Sequence, residues 1–132
     1  MDNRCRLIFI TLKQCPHCIK VEQWKPDLIK RLDGLVTVAR FEKDRNEDKE
    51  FPDNILKFNA APTILLCSPK QYQKLLNGEQ FDPVIYAGTM DEKGMFQSLA
   101  KVNSFTLDAV YEWTLLNISN AYRIDVQNGN PV

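Results

Sequence analysis

The sequence predicts an α/β domain in which helices cover both faces of a mixed four-stranded sheet. Three observations carry this. Four short apolar runs, at 5–12, 35–41, 62–68 and 83–88, are rich in β-branched and aromatic residues. Segments with apolar residues at helical spacing lie between and after them. At 132 residues the chain is large enough to bury a core between sheet and helices without covalent staples.

Taken in order, "CRLIFITL" (5–12) reads as a buried strand. "IKVEQWKPDLIKRLDG" follows, with Val21, Trp24, Leu28 and Leu32 on one helical face and Gly34 where a helix would stop. Pro26, inside that helix, removes a hydrogen bond to the Glu22 carbonyl and is expected to kink it. "LVTVARF" (35–41) is a second strand, and "NEDKEFPDNILKF" (46–58) a helix with acids in its first turn. "PTILLCS" (62–68) and "PVIYAG" (83–88) are the third and fourth strands. Between them Tyr72, Leu75 and Leu76 precede Asn77-Gly78, a helical turn with its stop. "MDEKGMFQSLAKV" (90–102) reads as a helix, acids first and a lysine last. Residues 106–124 form a final helix with Leu107, Val110, Tyr111, Leu115 and Ile118 as its apolar stripe. The first two strands should be parallel through a right-handed crossover, and the later two can pair antiparallel. We expect residues 1–104 to form the domain, with an insertion at 68–82, and residues 105–132 to pack on it as a C-terminal helix and tail.

Composition excludes some partners. Lys plus Arg and Asp plus Glu both total 17, so the net charge is zero and nothing draws the chain to nucleic acid or anionic membrane. No apolar stretch approaches the roughly 20 residues that span a bilayer. The start, "MDNRCRLIFITL", has too short an apolar run for a signal peptide and no small-residue cleavage site. The expectation is a cytoplasmic protein, in a compartment where cysteines serve catalysis or metal more often than structure.

Two of the four cysteines bracket a proline and the single histidine in "CPHC" (15–18), between a strand and a helix. With Cys15 as the helix cap, Pro16 takes the first helical position, where its missing N–H costs nothing. The Cys18 N–H can then point at the Cys15 sulfur as at a capping oxygen. Orphan amides and the positive end of the helix dipole both favour a thiolate there. Cys15 is therefore the candidate attacking thiolate and Cys18 the candidate resolving thiol, one turn inward. Pro16 and His17, the two residues inside the motif, are the strongest local lever on the couple. A protonated imidazole beside the sulfur would favour the reduced form and make the disulfide a stronger oxidant.

These residues resemble the thioredoxin superfamily. "CPHC" after a strand is one half of that family's signature. "AAPT" (60–63) is the other, a proline after a cis peptide bond at the start of the strand facing the redox pair. The resemblance implies a thioredoxin-like fold and exchange of protein thiols and disulfides. It implies that Ala61, Pro62 and Thr63 bind substrate, with Ala61 offering backbone groups to an extended segment. "VIYAGTMDEKGMFQSLAKV" is similar to the family's last strand, its glycine (Gly88, a further substrate-binding position) and its closing helix. The match covers about residues 5–102. The short lead before Cys15 resembles the smaller glutaredoxin core, whereas "CPHC" resembles the periplasmic disulfide oxidases. Thioredoxins carry a buried acid six positions before the first cysteine and a tryptophan just before it; here these are Phe9 and Gln14.

Other uses of the motif make different demands. A zinc site needs a second ligand pair, and Cys5 and Cys67 stand alone in strand-like runs, so no metal or other cofactor is expected. Glutathione remains open as a co-substrate, with Lys13 and Asp91 as its candidate contacts, and a reductase as an alternative source of electrons. An interaction module with little turnover is a third reading. In that case 68–82 and 106–124 would bind a partner or a second copy; extra core cover is the plainer role for both. An oxidase-type dipeptide without an export signal fits a glutathione-coupled cytosolic enzyme. It also fits a cytoplasmic disulfide relay like those that large DNA viruses encode, acting in a viral factory or virion.

Overall fold

The computed structural model describes residues 3–42, 55, 58, 60–101 and 103–127. Strand β1 (Cys5–Thr11) pairs in parallel with β2 (Val36–Glu42), Cys5 opposite Val36 and Thr11 opposite Glu42. On its other side β1 pairs antiparallel with β3 (Thr63–Cys67), and β3 pairs antiparallel with β4 (Val84–Ile85). The sheet order is β2-β1-β3-β4. A parallel pair needs a crossover, and helix α1 (Pro16–Arg31) supplies it.

Central β1 is buried on both faces, which is why it reads as an unbroken apolar run rather than an alternation. Cys5, Leu7 and Phe9 face Val21 and Leu28 of α1 and Val110 and Ala121 of α3 (Leu107–Gln127). Ile8 and Ile10 face the other way, toward Phe58, Phe81, Phe96 and Leu75 of α2 (Pro69–Leu76). Helices thus cover both faces, as expected. The expected helix at 46–58 lies outside the described residues except for Ile55 and Phe58, both fully buried.

The largest correction is at 90–102. In place of a helix, β5 (Gly88–Met90) and β6 (Phe96–Ser98) form an antiparallel hairpin. Asp91 Oδ1 accepts the N–H groups of Lys93 and Met95 at 2.9 and 2.8 Å, and Gly94 has φ +76°. A short acid that bonds its own downstream backbone competes with a helix, and the left-handed glycine ends the contest. Phe96 then turns inward against Phe58, with ring centroids 5.5 Å apart. The fourth strand is also shorter than expected. Only Val84 and Ile85 pair with β3 before the chain turns at Tyr86 and Ala87, the latter at φ +48°.

Because 88–98 is a hairpin, the helix that closes the fold is α3, packed on α1, β1 and β3. Its buried residues are Val110, Thr114 and Ala121, and Thr114 satisfies its hydroxyl by donating to the Val110 carbonyl at 2.7 Å. Leu115, expected in the stripe, is exposed. Helix α1 continues through Pro26 without interruption, and Gly34, at φ +80°, follows its end. The segment 68–82 is tied down by buried Gln71. Its Nε2 donates to Asp125 Oδ1 of α3 at 2.9 Å, and its Oε1 accepts the Asp82 N–H at 2.9 Å. Both segments therefore contribute to core cover.

Burial has a measurable consequence at high pH. It pushes the Cys67 thiol up to about 12, from an ordinary 9.0. An unfolded chain ionises this thiol from pH 9, whereas the folded chain keeps its proton. The thiol's contribution is thus fully present below pH 9 and is lost as pH rises toward 12. The expected slope is about 1.4 kcal/mol per pH unit. Urea unfolding of the reduced protein at pH 8 and 10.5 should show the loss, and Cys67→Ala should have the shallower dependence.

Candidate active site

The chain leaves β1, passes Leu12 and Lys13, and reverses through Gln14 at φ +58°. A left-handed non-glycine residue costs about 1–2 kcal/mol, and this one sets the entry to α1. Cys15 caps that helix with extended backbone (φ −85°, ψ 115°), and Pro16 takes the first helical position. The Cys18 N–H donates to Cys15 Sγ at 3.2 Å. As a thiol, Cys15 donates in turn toward the Ala61 carbonyl, 3.6 Å away.

The two sulfurs differ in their surroundings. Cys15 is half-buried, while Cys18 is only 3% exposed. Burial pushes the Cys18 thiol up to about 12, helped by its interaction with Cys15 and less by Glu22, while a backbone hydrogen bond at Leu12 opposes the rise. A buried thiol that holds its proton beside a half-exposed sulfur accepting an amide is an asymmetric pair. Neither cysteine is paired in this structure.

Facing Cys15, the Ala61–Pro62 peptide bond is cis, and Pro62 leads directly into β3. Thr63 donates its hydroxyl to the Ala60 carbonyl at 2.7 Å, which ties this turn to the strand. Ala60, Ala61 and Pro62 line a cavity of about 290 Å³ together with Ser98, Ala100, Lys101, Phe105 and exposed His17. The His17 and Phe105 rings lie 6.3 Å apart.

Of the expected site residues, the structure gathers Cys15, Pro16, His17, Cys18, Ala61, Pro62 and Thr63 around the start of α1. Gly88 is not among the residues lining this cavity. A Cβ built on it would meet the Phe96 ring at 2.7 Å and Ile85 at 3.1 Å, so packing accounts for the glycine. Gly88→Ala should cost about 1–3 kcal/mol in stability while leaving exchange per folded molecule unchanged; chemical unfolding beside a rate assay checks both. Asp91, a candidate glutathione contact with Lys13, lines a different cavity with Phe81 and Pro83, and its carboxylate caps the hairpin turn.

Sequence reasoning missed Ser98, Ala100, Lys101 and Phe105 as site residues because it placed 90–102 in a helix. The signal was available. "DEKG" has Asp and Gly at the first and fourth positions favoured by a tight turn. Among the described residues, no three of His, Cys, Asp and Glu gather as a metal would require, and no helix is long and apolar enough to cross a membrane.

No protein-family model matches the sequence, and no curated protein matches it. Solved structures do. The chain is similar to the J-Trx1 fragment of ERdj5 with a TM-score of 0.55 at 11% identity, covering 91% of this chain and 44% of that one. It also aligns with thioredoxin-2, a component of malaria parasite protein secretion machinery (TM-score 0.45, 19% identity, 75% and 77% covered). A third similarity is to chloroplastic thioredoxin z (TM-score 0.41, 21% identity, 50% and 56% covered). This chain thus spans less than half the length of the ERdj5 fragment, and what it shares with that structure is the fold. The fold is thioredoxin-like.

Proposed function

We propose that this chain is a protein thiol–disulfide oxidoreductase that works through Cys15 and Cys18. The observation that carries the reading is the asymmetric pair at the head of α1. Cys15 is reachable and accepts an amide hydrogen bond, while Cys18 is buried one turn behind it.

In the reducing direction the Cys15 thiolate attacks one sulfur of a substrate disulfide. The substrate S–S bond breaks, its other sulfur leaves as a thiolate and takes a proton from solvent, and a mixed disulfide joins Cys15 to the substrate. Cys18 then gives up its proton and attacks Cys15 Sγ. The second substrate thiolate leaves, and Cys15 and Cys18 end as a disulfide. Two electrons have moved from protein to substrate, and the reverse sequence oxidises a dithiol. Burial of Cys18 keeps it protonated through the first attack, so the outer sulfur is the one that meets substrate.

Equilibration in glutathione buffers of graded ratio tests this. One two-electron transition is expected, with mass mapping placing the disulfide between Cys15 and Cys18. If those residues never pair at any ratio, the reading fails.

A further inference from the structure

Among the described residues, the lining of the cavity beside Cys15 has one fixed charge, Lys101, and no acid. Its ammonium has no hydrogen-bond or ion-pair partner among the described residues. The backbone that presents it, by contrast, is well held. The Lys101 N–H donates to Ser104 Oγ at 2.7 Å, and the Ser104 N–H donates back to the Lys101 carbonyl at 2.9 Å. The Tyr86 hydroxyl donates to the Ser104 carbonyl, and Phe105 packs between Tyr86 and His17. Glu22 pairs with Lys25 and Arg40, Asp108 with Arg31, and Asp91 with its own turn, so none of these acids is paired with Lys101. The lining contributed by Ala60, Ala61 and Pro62 is uncharged.

We propose that this cavity takes an extended peptide carrying an acidic side chain next to its reacting cysteine, with Lys101 as the residue that selects the charge. The inference rests on the proposed exchange activity and deepens it by naming a substrate class. A carboxylate beside the disulfide would meet an ammonium that is unpaired among the described residues and carried on a held backbone, whereas a basic side chain would meet a like charge.

The test uses N-acetylated, C-amidated peptides whose single cysteine carries a 2-thiopyridyl disulfide, with Glu, Gln or Lys beside it. Attack by reduced Cys15 on the peptide sulfur releases 2-thiopyridone, which is read by absorbance. Wild-type protein should favour Glu over Gln by about three- to fivefold and Glu over Lys by about tenfold at low salt. The preference should contract toward unity at 1 M salt. Lys101→Gln should remove it and Lys101→Glu should invert it. Hydroxyethyl disulfide, which is small and uncharged, should be consumed equally by all three proteins. A wild-type preference that both variants retain overturns the inference. So does a wild type that consumes the Glu, Gln and Lys peptides alike at low salt. If wild type fails even on hydroxyethyl disulfide, the exchange reading itself falls and takes this inference with it.

Discussion

Cys15→Ser should lower the rate of protein disulfide exchange by about 10³-fold or more, because no other described sulfur combines access with a helix-capping position. Cys5 and Cys67 are fully buried, and Cys18 is 3% exposed behind the first turn of α1. The companion variant separates the two roles. Cys18→Ser keeps the attacking sulfur and loses the resolving one. It should react once and stall as a mixed disulfide on residue 15, with steady-state turnover lost. Rapid-quench mass measurement distinguishes these outcomes. A stalled adduct in Cys18→Ser beside an inert Cys15→Ser is the expected pattern.

The second large effect is on stability. Phe9 lies in the middle of β1, fully buried, with its ring 6.5 Å from Trp24 in an edge-on arrangement and Lys25 Nζ 5.7 Å from its centroid. It joins β1 to α1 at the position where the resembling thioredoxins place an acid. Here that space is apolar and filled. Phe9→Ala should cost about 3–5 kcal/mol, from lost transfer energy and the cavity left behind. For a chain of this size that corresponds to a fall of about 10–15 °C in Tm. Thermal unfolding followed by circular dichroism checks it. A shift of only a degree or two would mean that Phe9 is not the packing centre of this face.

How much of this was legible in the sequence follows from where the constraints are local. Strands β1 and β3 were readable because buried strands leave continuous apolar runs, and half-buried β2 because its Val, Thr and Phe residues favour extended backbone. The head of α1 was readable because a cap, a proline and a second cysteine at fixed spacing define one geometry. The hairpin at 88–98 was misread because acids followed by Met95, Phe96 and Leu99 fit a helix start nearly as well. What decides it is non-local, the Phe96 ring finding Phe58 in the core. The stripe of α3 holds at Val110, Leu107, Tyr111 and Ile118, which face the core, and fails only at Leu115. Thr114 is polar in sequence yet buried, because its hydroxyl bonds back to the helix, which leaves Leu115 outside. The cavity wall carrying Lys101 and Phe105 depends on the hairpin and so inherited that error.

The central claim is that the two sulfurs of one short motif differ in kind, the outer one reactive and the inner one a protected thiol. The most direct measurement is alkylation of the reduced protein by iodoacetamide between pH 6 and 10, with each cysteine followed by mass mapping. Cys15 should be modified first at every pH, and Cys18, with its thiol pushed up to about 12, should remain largely unmodified while the protein is folded. Modification of Cys18 as fast as Cys15, or faster, would contradict the account.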